Sequence, residues 1–220
     1  MRKKKEIYLD NAANTAIDPR VAKKMAPYLD PSFCGNSHSP HSCGAKADTA
    51  IYEAREEIAK ALKVKPEEVY FTSGATESNN WVIKSLALHE LEKPASERKD
   101  HIVCSAIEHA SVLNACKDME KLGFSVTYVK PRICGKIGEA EVAKALTKKT
   151  LLVCCMCVNN ETGVIQPIRE VYALCKARRI HLHVDAVQAF GQMPINVDEY
   201  NIDMLSASGH KLNGPKGIGF

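Results

Sequence analysis

"HIVCSAIEHASVLNACKDMEKLGFSVTYVK", residues 101–130, carries the pattern that decides the fold. An apolar run at 101–105 reads as a strand, the amphipathic stretch 109–122 as a helix, and 125–130 as a second strand. The alternation continues on both sides. Strand 68–72 and helix 75–91 come before it. Helix 139–147, strand 150–156, helix 167–178 and strands 180–184 and 203–207 come after. Repeated strand and helix predict an α/β fold, a mostly parallel sheet with helices on both faces. Nearer the start, 6–10 reads as a strand. "DPRVAKKMAPYL" (18–29) reads as a helix opening on Asp18 with Pro19 at its first position. The stretch 30–44, rich in Pro, Gly, Ser and His, reads as a loop, and 45–62 as a helix. No internal repeat or low-complexity linker divides the chain.

Composition narrows the function classes. At 220 residues, a chain buries roughly 70% of its unfolded surface and needs no disulfide or metal staple. The net charge of +4 is spread along the chain, and the only basic run is Arg2 to Lys5. That is a solvated tail, not the patch or stripe of a nucleic-acid binder. No apolar segment follows it as in a signal peptide, and the longest apolar run, Leu151 to Val158, is too short to span a membrane. A cytoplasmic protein without a nucleic-acid or membrane partner is expected. The nine cysteines are odd in number and scattered, which suits a reducing compartment. Cys154, Cys155 and Cys157 in "LLVCCMCV" read as small buried hydrophobes. A metal pair of Cys155 and Cys157 is the alternative, although no second pair with zinc-like spacing accompanies it.

In open α/β sheets ligands gather at the carboxyl ends of the strands, and four polar stretches fall there. In "TSGATESNN" (72–80), Gly74 allows a tight turn, and Ala75 and Thr76 offer free amides at a helix start. That suits a phosphate; an ordinary turn capped by Thr76 to Asn79 is the alternative. No GxGxxG or P-loop pattern occurs. In "IEHAS" (107–111), His109 can stack on a flat ring, exchange protons or serve structure alone. In "HLHVDAVQ" (181–188), His181, His183 and Asp185 share a strand face. They read as a metal row, or Asp185 pairs with a protonated ring nitrogen while His183 belongs to the core. In "SASGHKLNGPKGIGF" (206–220), Lys211 could form a Schiff base if burial lowers its pKa. Ser208 and His210 could meet a phosphate beside it. Phosphate cradle, ring stacker, carboxylate and lysine together are what pyridoxal 5′-phosphate (PLP) requires.

"YLDNAANT", "FTSGATESNN", "EH" at 108–109, "VNNETGVIQPI", "HVDAVQAFGQMPI" and "SGHKLNGPKGIG" occur in this order. Together they resemble the cysteine desulfurases, class V members of the PLP-dependent aminotransferase superfamily. "GPKGIG" resembles the branch serving iron–sulfur cluster assembly, rather than the branch with threonine in place of Lys216. The resemblance implies a fold type I large domain over 18–220, with 1–17 contacting the small domain or a partner subunit. It implies a seven-stranded sheet whose last, antiparallel strand begins near "GIGF". Lys211 would hold PLP and shuttle the substrate's proton. Asp185 would pair with the ring nitrogen, His109 would stack on the ring, and Gln188 would reach its phenolic oxygen. Ala75, Thr76, Ser208 and His210 would take the phosphate. Asn160 would approach cofactor and substrate carboxylate, with Asn36 a further candidate for the carboxylate.

The implied reaction takes sulfur from L-cysteine, releases L-alanine and leaves a persulfide for an iron–sulfur scaffold or another acceptor, within a homodimer. The persulfide-forming cysteine is expected beyond residue 220, with the small domain. Cys34 and Cys43 are the only internal thiols near the expected site. A selenocysteine lyase, an aminotransferase of the same class or a non-catalytic PLP-binding module shares these cofactor residues.

Overall fold

The computed structural model describes residues 7–200 and 202–220. Its framework is five parallel strands: β1 (His101–Ser105), β2 (Ser125–Val129), β3 (Thr150–Cys154), β4 (His181–Asp185) and β5 (Met204–Ser206). They lie in the order β2-β1-β3-β4-β5, every neighbouring pair parallel. The helices are α1 (Pro19–Leu29), α2 (Ser42–Leu62), α3 (Ala75–Leu91), α4 (Ala110–Lys121), α5 (Glu139–Ala145), α6 (Ile168–Ala177) and the short α7 (Val197–Tyr200).

Two apolar layers show why β1 and β3 read as near-continuous hydrophobic runs. Ile102, Cys104, Leu152 and Cys154 pack with Ile83 and Ala87 of α3 and Val112, Ala115 and Cys116 of α4. The alternate residues Val103 and Val153 pack on the other side, with Leu182, Val184, Val142 of α5 and Val171 and Cys175 of α6. A strand covered on both faces has no polar face to show. Each parallel crossover then leaves a loop at the carboxyl end of its strand, which is where ligand-binding residues can converge.

Local signals set the helix starts. Asp18 caps α1, its carboxylate accepting from the Arg20 N–H at 2.7 Å, with Pro19 first in the helix. Helix α2 begins three residues before the expected 45, because His41 caps it by accepting the Gly44 N–H. Two expected strands are absent. Residues 7–10 form none, residue 6 lying outside the described residues, and in 68–72 only Thr72 finds a bridge partner. That partner is Gly219, antiparallel, and Gly219 bridges Ser208 on its other side. The "GIGF" stretch thus enters the sheet antiparallel as expected, but among the described residues the ladder has five named strands, not seven.

Candidate functional site

A cleft of about 770 Å³ opens at the carboxyl ends of the strands. It is built from the N-terminal segment, the turn into α3 and β-to-α connections, all distant in sequence. Ala75, Thr76, His109, Asn160, Asp185, Gln188, Ser208, His210 and Lys211 all line it. Asn36 does not. It is exposed in the loop before α2, where its Oδ1 accepts the His38 N–H.

The turn into α3 differs from a simple cap. Gly74 sits at the N-cap with φ 156°, a conformation that side chains rarely adopt. Glu77 closes the turn, its Oε2 accepting both the N–H and the hydroxyl of Ser73. Among the described residues, no backbone or side-chain acceptor takes the N–H groups of Ala75 and Thr76. Unpaired amides at a helix start, where the dipole is positive, favour an anion. Ser208 lies opposite: a methyl group on Gly74 would meet its Oγ at 3.7 Å. The Ser208 hydroxyl contacts His210 Nδ1 at 3.0 Å. Burial, then the charges of Lys211 and Lys216, push the His210 ring toward its neutral form.

Asp185 ends β4 and is 4% exposed. Its Oδ1 accepts the Val187 N–H and its Oδ2 accepts Asn79 Nδ2 at 2.8 Å. Burial raises its pKa, while those hydrogen bonds and the nearby His109 and Lys211 oppose the rise. A buried carboxylate of this kind is stabilised by a cationic partner, which a protonated ring nitrogen would supply. His109 caps α4, its Nδ1 accepting the Ser111 N–H at 3.1 Å and lying 2.8 Å from Ser111 Oγ.

Lys211 ends a single 3-10 turn, 209–211, where it faces the N-terminal segment. Its Nζ donates to the carbonyls of Ala12 and Ala13, and Gln188 Nε2 also donates to Ala12 at 2.9 Å. Burial pushes the Lys211 amine down, and the carboxylates of Asp10 and Asp185 pull it back up. The segment is clamped in place. Thr15 sends its N–H and its hydroxyl to the His210 carbonyl, and Asn213 returns its N–H to the Thr15 hydroxyl.

Several functional residues carry no sequence signal of their own. Ala12 and Ala13 act through backbone carbonyls. Asn79 looks like a helix-start residue but is fully buried and turned onto Asp185. Glu108, beside His109, is buried with its Oε1 on the Met156 N–H and its Oε2 unpartnered; burial and the charge of Asp185 push its pKa up to about 8. Asn160 donates to the Glu161 carboxylate, while Asn159 holds the turn through three bonds to its Oδ1. His183 is buried and bonded to Ser206, and burial pushes its pKa down to about 4. Among the described residues no group of His, Cys, Asp and Glu is placed to hold a metal.

A parallel sheet wrapped by helices, with lysine, carboxylate and anion cradle at the strand ends, defines the fold type I class of PLP-dependent transferases. Comparison narrows this: the family model for aminotransferase class-V matches residues 7–220, and the chain belongs to that family. It is 49% identical over 214 residues to a curated protein of Rickettsia typhi (strain ATCC VR-144 / Wilmington) named cysteine desulfurase IscS. The match covers 97% of this chain and 51% of that protein, so the chain spans about half the length of the curated relatives it matches. Among solved structures, one described as SspA in complex with cysteine superposes with TM-score 0.91 at 44% identity, covering 96% of this chain and 59% of the other. A NifS-like protein gives TM-score 0.91 at 38% identity, covering 97% of this chain and 57% of the other.

Proposed function

We propose that this protein binds PLP in the cleft and serves as the cofactor-binding part of a cysteine desulfurase. One observation carries the cofactor reading. The Lys211 amine, the buried Asp185 carboxylate and the unpaired N–H groups of Ala75 and Thr76 line a single cleft, although they come from three segments distant in sequence. When bound, PLP supplies an electron sink that makes bonds to an amino acid's α-carbon labile. The chain's residues supply the rest. Ala75, Thr76, Ser208 and His210 hold the phosphate, Asp185 fixes a positive ring nitrogen, and His109 covers the ring face. Lys211, its amine lowered by burial, anchors the aldehyde and carries the substrate proton. Gln188 and Asn160 orient the ring oxygen and the substrate.

The likeness to a curated cysteine desulfurase and to a structure described with cysteine supports L-cysteine as substrate. The overall change moves sulfur from cysteine to a thiolate, giving L-alanine and a persulfide. None of the nine cysteines lines the cleft; Cys34 is exposed and Cys43 half-buried in the first turn of α2. The proposal therefore assigns the accepting thiol to none of them. Residues 18–220 act as the PLP-binding domain and 1–17 as a contact segment. The protein works in the cytoplasm as a homodimer, with an iron–sulfur scaffold or similar protein receiving the sulfur.

The absence of a thiol from the cleft also favours a second reading, a PLP-binding module with no turnover of its own. The test is the visible spectrum after PLP addition, with Lys211→Ala as control, followed by alanine release from L-cysteine and from selenocysteine. A band lost in Lys211→Ala with alanine from cysteine supports the first reading. A band without alanine supports the second. A colourless protein after PLP addition defeats both.

A further inference from the structure

Four side chains from three elements form one hydrogen-bonded chain: Asp185 at the end of β4, Asn79 in α3, and Ser111 and His109 at the start of α4. Asn79 Nδ2 lies 2.8 Å from Asp185 Oδ2 and 2.9 Å from Ser111 Oγ, and Ser111 Oγ lies 2.8 Å from His109 Nδ1. Asn79 is fully buried, and its Oδ1 has no partner.

The chain has a direction. Both Asp185 oxygens accept, Oδ1 from the Val187 N–H and Oδ2 from Asn79, as in a charged carboxylate. A carboxylate oxygen has no proton to give, so the amide must turn its nitrogen toward it. The second amide proton then goes to Ser111 Oγ, which leaves the single hydroxyl proton for His109 Nδ1. The Ser111 backbone N–H also points at Nδ1, at 3.1 Å. A nitrogen facing two donors holds a lone pair, so the neutral ring carries its proton on Nε2.

We propose that Asn79 is a positioning residue that couples the charge of Asp185, through Ser111, to the tautomer of His109. His109 then meets the cleft's ligand as a flat ring with an Nε2–H donor. It cannot act as a base at Nε2, and taking a proton at Nδ1 would cost it two donors. The geometry stands without a cofactor; only the purpose of the coupling rests on the reading of the cleft as a PLP site.

The test is nitrogen NMR of histidine-labelled protein without cofactor at neutral pH, with His109 assigned by loss of its signals in His109→Gln. Wild type is expected to show an unprotonated Nδ1. In Asn79→Asp the new carboxyl group shares a proton with Asp185 on one oxygen and draws the Ser111 hydroxyl proton with the other, so Nδ1 keeps only the Ser111 N–H as a donor and faces the Ser111 oxygen lone pair. Its signal should move toward the protonated position, the remaining Ser111 N–H opposing a complete change. That move should vanish when Ser111→Ala is added, because the relay is gone. A protonated Nδ1 in wild type, an unmoved signal in Asn79→Asp, or an equal move in the double variant would each overturn the proposal.

Asn79→Leu provides a second measurement that buries no new charge. Asp185 faces Glu108, Cys157, His109 and Lys211. With those unchanged, loss of the Asn79 donor should raise the Asp185 midpoint in carboxyl carbon NMR. An unchanged midpoint would remove Asn79 from the network. Wild-type PLP binding is measured separately, so failure of the cofactor reading would leave the tautomer result standing.

Discussion

Replacing Gly219 with alanine should damage the proposed phosphate cradle from behind. Gly219 exchanges both backbone hydrogen bonds with Thr72, each at 2.9 Å, and bridges Ser208 on its other side. A methyl group there would lie 2.6 Å from Gly74 Cα and 2.7 Å from the Ala207 carbonyl oxygen, both backbone atoms. Non-bonded carbons pack at about 3.5–4.0 Å, so the turn into α3 must retreat by roughly 1 Å or the Thr72 pairing must break. Overpacking of this kind costs about 1–3 kcal/mol of stability. The same retreat moves the Ala75 and Thr76 amides away from Ser208. Losing one charge-assisted hydrogen bond is worth about 1.5–3 kcal/mol, or roughly ten- to 150-fold in the Kd for PLP. Chemical denaturation and a PLP titration followed by absorbance read the two effects. Gly123→Ala is the control: its φ of 94° and the absence of atoms within 4 Å confine the effect to backbone strain, about 1–2 kcal/mol, with PLP affinity unchanged. If Gly219→Ala binds PLP as wild type does, or Gly123→Ala loses as much affinity, the reasoning fails.

Other outcomes follow from the buried groups and the clamp. Glu108 holds its proton up to about 8 in the folded chain against an ordinary 4.5, so between those values the folded state binds more protons than the unfolded. Stability therefore falls as pH rises through that window, and Glu108→Gln should flatten the fall in urea midpoints measured from pH 5 to 8. His183, lowered to about 4 from 6.5, works in the opposite sense: stability is lost as pH falls through that range, and His183→Gln should reduce the loss. Thr15→Val removes the hydroxyl that joins His210 to Asn213 and should cost about 1–3 kcal/mol. It should also speed acylation of Lys211 in peptide mapping, because the segment covering the amine loosens.

The parallel framework was legible because strands buried on both faces show near-continuous apolar runs, as 102–104 and 151–154 do, while in 181–185 Leu182 and Val184 alternate with the polar residues. Residues 68–72 have a strand's composition, yet strand structure needs a partner, and only Thr72 has one. Lys211, Asp185 and His109 were legible because their chemistry is scarce at strand ends. The Ala12 and Ala13 carbonyls were not, since no side chain marks a backbone acceptor. Asn79 was hidden for a different reason. An asparagine in the first turns of a helix ordinarily faces water, and only the packing of α3 against the sheet turns this one onto Asp185.

The clamp between Thr15 and His210 also bears on when the site can form. The contact joins residues 195 positions apart, and Lys211 reaches Ala12 across 199. Closing a loop of that length costs about 5 kcal/mol in chain entropy beyond a constant, so it must be one of the last contacts made. On the ribosome the N-terminal segment waits, uncommitted, while nearly all the rest of the described chain is synthesised. Capture of a small molecule by Lys211 therefore waits until the 209–211 turn has been made, and a chain stalled before it would carry the Asp185 carboxylate and the Ala75 and Thr76 amides but no anchor.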